Sequence, residues 1–200
     1  MSIGEFARQL NAWGKSRTPF VFYVDFEMKY PVAIRMDEVN PENLLFNIHG
    51  VSNVPDWVSI GSVDHQEVIS KRPLSFSDYC EKFNKVQQHL GYGDSFLTNL
   101  TISTEVSLQH TLKELFFISK ARYKLWVRDR FLVFSPEIFI QIRNGQIYSY
   151  PMKGTVDAAV PHAAELILAD EKELAEHVTI VDLIRNDLSQ VAQDIVVSRF

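Results

Sequence analysis

Up to residue 72 the chain carries short apolar runs separated by turn formers: PFVFYVDF, PVAIRM, NLLFNIHG and DWVSIGSV are each bounded by Pro, Gly, Asn or Asp. Runs of this length and edge chemistry predict strands, and several in succession predict a small antiparallel sheet. At KRPLSFSD the pattern changes. Ser75 or Ser77 can cap a helix on which Tyr79, Phe83, Val86 and Leu90 recur at helical spacing before Gly91 ends it. SFLTNLTISTEV returns to strand character, and SLQHTLKELFFISK predicts a second helix with Leu108, Leu112, Leu115 and Phe116 along one side. YKLWV and RFLVFSP then read as strands divided by Arg128-Asp129. The pattern divides the chain into a strand-rich region over 1–72 and a mixed region over 73–200, an α+β organisation of antiparallel sheets with packed helices.

The sharpest local signal is EIFIQIRNGQIYSYP. Asn-Gly between alternating apolar runs is the preferred type I′ hairpin turn, because both central positions take a positive φ. That turn sets Arg143 opposite Gln146, Ile142 opposite Ile147 and Ile140 opposite Ser149, and counting outward brings Glu137 beside Met152, next to Lys153. A regular ladder would point Glu137 and Lys153 to opposite faces. Pro151 has no N–H to give, so a break or bulge is expected there, and a shift of one residue would bring both to one side.

From Pro161 the pattern is helical, in PHAAELILAD and EKELAEHVTIVDLIRNDLSQVA. On the second segment Ile180, Leu183, Ile184, Leu188 and Val191 form an apolar stripe, and Asp182, Arg185, Asn186 and Ser189 a polar one. Glu176 and Asp187 fall at the edge of the apolar arc, where a carboxylate is costly unless it is paired or holds a cation. The closing DIVVSRF is predicted as a strand with no partner after it.

Composition narrows the function. With 200 residues, 46% hydrophobic and 22% charged, the chain is globular, and a formal net charge of -5 argues against a general nucleic-acid binder. Cys80, the single cysteine, excludes an internal disulfide and is predicted as packing inside a helix. No apolar run reaches signal-peptide or membrane-span length, so no membrane association and a cytoplasmic location are expected. The six histidines lack zinc spacing, and no phosphate loop or nucleophile elbow is present. Three features remain: Glu137 after FSP, Lys153 in PMKGT, and Glu176 with the polar stripe. Singly, each also fits a solvated turn or an ordinary i, i+3 helix pair such as Asp182 with Arg185.

Jointly, FSPE, PMKGT and AEHVTIVDLIRNDLSQVA, in this order and spacing, resemble the chorismate-binding enzymes, and among them the large subunit (component I) of aminodeoxychorismate synthase. GYGDSFLTNLT is similar to a further segment of that family, so the likeness runs from about Phe76 to Phe200. It implies the amino-terminal part of the family's sandwich fold. It also implies that Lys153, as a neutral amine, attacks ring carbon 2 of chorismate while Glu137 protonates the hydroxyl leaving carbon 4. Ammonia from a glutamine amidotransferase subunit then adds at carbon 4 and expels the lysine, giving 4-amino-4-deoxychorismate for para-aminobenzoate and folate synthesis. Glu176 matches a Mg²⁺ ligand, and Gly154, Thr155, Asp182, Arg185, Asn186 and Asp187 would bind substrate or support the site. Lysine in the Pro-x-Lys-Gly-Thr segment resembles the aminodeoxychorismate type, since anthranilate synthases carry alanine there.

Three departures qualify the match. Met152 replaces an isoleucine, the amino-terminal part is short for an allosteric tryptophan pocket, and segments carrying the family's later carboxylate-binding and metal-binding residues do not occur before Phe200. The chain by itself is therefore expected to be an incomplete enzyme with little activity and with exposed apolar surface. Two alternatives stand beside this one: an anthranilate or isochorismate synthase, and a non-catalytic module that docks a glutaminase or a complementing half.

Overall fold

In a computed structural model, residues 1–55, 68–152 and 154–198 are described. The architecture is α+β, with antiparallel sheets and packed helices, and the chain divides into two compact units. The DWVSIGSV run and Lys153 lie outside the described residues.

Unit 1 comprises Met1–Leu44, Val54–Lys120 and Trp126–Leu132. It begins with a helix in a region where the sequence pattern shows strands: α1 (Ile3–Lys15) starts on a capping box between Ser2 and Glu5. The Glu5 N–H donates to the Ser2 hydroxyl at 3.3 Å and the Ser2 N–H to the Glu5 carboxylate at 2.8 Å, satisfying two donors that a helix start otherwise leaves open. The apolar side of α1 covers the ribbon of β1 (Phe20–Tyr23) and β2 (Val32–Arg35), with Phe6 buried and its ring 5.9 Å from Phe22, and Trp13 5.5 Å from Phe20. In chain order, β3 is Leu44–Ile48, β4 Val51–Ser52 and β5 Val68–Arg72. Next, α2 spans Phe76–Tyr92. Ser75 caps it, and it runs one residue past Gly91 to end on Gly93, whose φ of 83° gives the left-handed conformation of a C-terminal cap. Cys80 is half-buried and free, less enclosed than the sequence suggested. A second ribbon pairs β5 with β6 (Glu105–Leu108), and α3 (Leu112–Ile118) buries Phe116 completely.

Unit 2 comprises Leu45–Asn53, Ala121–Leu125 and Val133–Phe200. It holds most of β3, all of β4, Tyr123–Leu125 of β7 (Tyr123–Val127) and Val133–Ser135 of β8 (Phe131–Ser135), side by side in the order β4-β3-β7-β8. Leu45 and Phe46 on β3 are its buried apolar side chains among the described residues, and Lys124 is buried on the neighbouring strand β7. Burial pushes the Lys124 ammonium below the ordinary lysine value. The predicted hairpin is present as β9 (Gln141–Arg143) and β10 (Gln146–Tyr148), in the register set by the turn: Arg143 pairs with Gln146 and Ile142 with Ile147. Asn144 and Gly145 have φ of 53° and 75°, both positive as the type I′ turn demands. The ladder ends at Gln141 and Tyr148, however, short of the Ile140–Ser149 pair that counting outward predicts. Helix α4 (Ala163–Ala169) and helix α5 (Glu171–Ser189) meet at Asp170, whose carboxylate accepts the N–H groups of Lys172 and Glu173 at 3.0 Å. Among the described residues the strand expected at the C-terminal end does not form, and Asp194–Ser198 is irregular.

Candidate active site

The hairpin and α5 line an open cleft of about 460 Å³ inside unit 2. Its walls are mostly apolar, from Ile138, Phe139 and Ile140 on one side to Ile180, Ile184 and Leu188 of α5 on the other. Glu137 and Asp187 are its acidic lining residues, and Pro151 and Met152, which precede Lys153 in the sequence, line it as well. The predicted stripe of α5 is thus partly realised: Ile180, Ile184 and Leu188 are half-buried and face this space instead of a closed core. Val191 lines it while remaining 75% exposed, and Leu183 turns to solvent.

Local chemistry fixes the backbone at Glu137. The Glu137 N–H donates to the Ser135 hydroxyl at 3.2 Å, and that hydroxyl donates to the Glu137 carbonyl at 2.8 Å. Serine before proline here forms a compact turn that ends β8 and leaves the Glu137 carboxylate exposed at the rim. Gly154 has a φ of 82°, a conformation that favours glycine. Thr155 beside it is exposed.

Glu176 is half-buried on α5, where Lys172 reaches it at 3.3 Å and Glu173 at 3.1 Å. These two carboxylates hold the Lys172 ammonium above its ordinary value, Glu173 more strongly than Glu176. Arg185 donates to Asp182 at 2.6 Å on the exposed side of the helix, and the Asn186 carbonyl accepts the Ser189 hydroxyl at 2.6 Å. Of the sequence-derived candidates, then, Glu137 and Asp187 share the cavity with Met152, while Glu176, Asp182, Arg185 and Asn186 are not among its lining residues. Glu173 and Lys172 carried no motif signal. Their one sequence cue is that Glu173 stands three residues before Glu176 and so shares its helix face.

Unit 1 has a second cavity, of about 370 Å³, between Glu42, Lys113, Trp126, Arg128 and Asp129. Its cations are already matched by its anions, Lys113 to Glu42 at 3.1 Å and Arg128 to Asp129 at 3.4 Å.

Residues 59–200 match the chorismate binding enzyme family, and the chain belongs to that family. It is 43% identical over 201 residues to an uncharacterized PabA-like protein of Pasteurella multocida, covering 100% of this chain and 61% of the relative. Aminodeoxychorismate synthase component 1 of Klebsiella aerogenes is 33% identical over 132 residues, which are 60% of this chain and 29% of that protein. Anthranilate synthase component 1 of Acetivibrio thermocellus is 30% identical over 135 residues, 60% of this chain and 27% of that protein. The chain thus spans about three fifths of the Pasteurella relative's length. No solved structure matches it significantly.

Proposed function

We propose that the chain is part of an aminodeoxychorismate synthase component I, using chorismate and ammonia delivered by a glutamine amidotransferase partner. The observation that carries this reading is the shared cavity wall of Glu137, Pro151 and Met152, which supports an acid working within reach of the segment that holds Lys153. In this reading Lys153 forms a bond to ring carbon 2 while both conjugated ring double bonds shift towards carbon 4. The hydroxyl on carbon 4 leaves as water with a proton from Glu137. Ammonia then bonds to carbon 4, both double bonds return and the Lys153 amine departs, so that hydroxyl has been exchanged for amine without oxidation or reduction.

Mg²⁺ is the cation that the resemblance implies. Among the described residues no three His, Cys, Asp or Glu side chains form a metal cluster. Mg²⁺, however, is commonly held by one or two carboxylates with water and substrate oxygens completing the shell, a share that Glu176 with Glu173 suits. When bound, the ion would supply neutralisation of a substrate carboxylate.

A chimera joining this chain to the part of the Pasteurella relative that it does not cover tests the assignment. With chorismate, ammonium and Mg²⁺ it is expected to form aminodeoxychorismate, detected by chromatography. Anthranilate as the product would favour the second reading, which the Acetivibrio relative supports. Capture of a glutaminase with no turnover of chorismate would favour a docking module.

A further inference from the structure

Strand structure stops at Ser135, the last residue of β8, and resumes at Gln141, the first of β9, so Glu137 lies on a segment outside both strands. Pro136 has no N–H, and its ring restrains only its own φ. The first donor after β8 is therefore the Glu137 N–H, which goes to the Ser135 hydroxyl at 3.2 Å while that hydroxyl donates to the Glu137 carbonyl at 2.8 Å. One side chain thus meets both backbone polar groups of Glu137. The next tie along the segment is longer, from the Ser149 hydroxyl to the Phe139 carbonyl at 3.4 Å. Among the described residues no ion pair or hydrogen bond reaches the Glu137 carboxylate, so the place of this acid is set through its backbone. Ser135 and Glu137 both line the open cleft.

We propose that Ser135 is a positioning residue for this acid: its hydroxyl stands in for strand pairing as the contact that holds Glu137 at the rim of the cleft. The seat rests on these contacts alone, and what the seat serves rests on the function proposed above. A general acid works only within hydrogen-bond reach of the group it protonates, and a misplacement of about 1 Å can lower a rate about a hundredfold. Loss of the hydroxyl would release the Glu137 N–H and carbonyl together to water, and the backbone would regain the conformational freedom that the turn removes. Threonine at 135 would keep a hydroxyl on the same carbon, and its β-branch suits the strand end that this position occupies.

Nuclear magnetic resonance on the chain itself, grown with isotope-labelled glutamate, reads the seat at an amide that has a hydrogen bond to lose. The Glu137 amide signal is identified by its absence in Glu137→Gln. In Ser135→Ala this signal is expected to move and to become more temperature-dependent, and in Ser135→Thr to stay close to its original position. In the chimera, with chorismate, ammonium and Mg²⁺, Ser135→Ala is expected to lower kcat about tenfold or more while KM for chorismate stays within about threefold, and Ser135→Thr to recover most of the loss. Because Ser135 acts through Glu137, adding Ser135→Ala to Glu137→Gln should lower kcat by less than about a further twofold. An unchanged Glu137 amide in Ser135→Ala overturns the proposal, as does an intact kcat or a fully additive loss in the double variant. Absence of turnover by the unaltered chimera counts against the functional assignment alone, because the amide signal requires no turnover and still decides whether Ser135 seats Glu137.

Discussion

Gly154 is held by two independent restraints, a backbone conformation that L residues disfavour and a close approach of Glu173 and Ile167. Gly154→Ala is therefore expected to destabilise the protein by about 1–2 kcal/mol from the backbone alone, read as a lower denaturation midpoint. The neighbouring chemistry makes a sharper prediction. Under the proposed route, Lys153→Ala and Glu137→Gln in the chimera should each lower turnover at least about a hundredfold, because that route takes its nucleophile from one and the proton for the leaving hydroxyl from the other. Substantial activity in Lys153→Ala would discard the covalent route. Lys153 and Glu137 stood out as candidates in the sequence because they sit in motifs with fixed spacing. Glu173 was not, since a glutamate on a helix reads as a solvated charge until a distant glycine is found against it.

Single elements differ in how far local rules carry. The Asn144-Gly145 turn sets the first pairs of its hairpin correctly, but the ladder stops before Ile140 and Ser149. Strand pairing beyond a turn depends on what packs on each face, which counting along the chain does not include. Helix α2 follows its caps closely, and Ser75→Ala, which deletes the hydroxyl accepting the Asp78 N–H at 3.1 Å, should cost about 1 kcal/mol in chemical denaturation. Strand β7 carries a pH-dependent element in Lys124. Its folded-state value is lowered, so the penalty for charging it is complete at neutral pH. Between the folded and unfolded values the unfolded chain binds more protons, and stability contributed by this group rises with pH towards about pH 10. Lys124→Met should flatten that rise, a comparison that denaturation midpoints across alkaline pH would make.

At the scale of the whole molecule, each unit is assembled from three separate stretches of chain, so no single cut separates one from the other. Unit 2 leaves large apolar side chains open around its cavity: Phe139 is 84% exposed, Val191 75% and Met152 54%. Exposed apolar surface of this kind promotes association. The chain by itself is expected to enhance the fluorescence of an apolar dye and to sediment with concentration-dependent mass, and Phe139→Ser should reduce both. Equal dye binding by the chain and by the chimera would contradict this. Among the described residues no helix is long and apolar enough to cross a membrane. By itself the sequence determined the family, the α+β class, the hairpin turn and the serine start of α2, because these follow from residue types a few positions apart, where the chain's own geometry sets the distances. Only the tertiary structure decided that α5 faces an apolar cavity with Glu137 and Asp187, that Glu176 meets Lys172, and that Glu173 lies on Gly154. Those relations depend on which faces are buried together, and burial is a property of the packed chain rather than of any one segment.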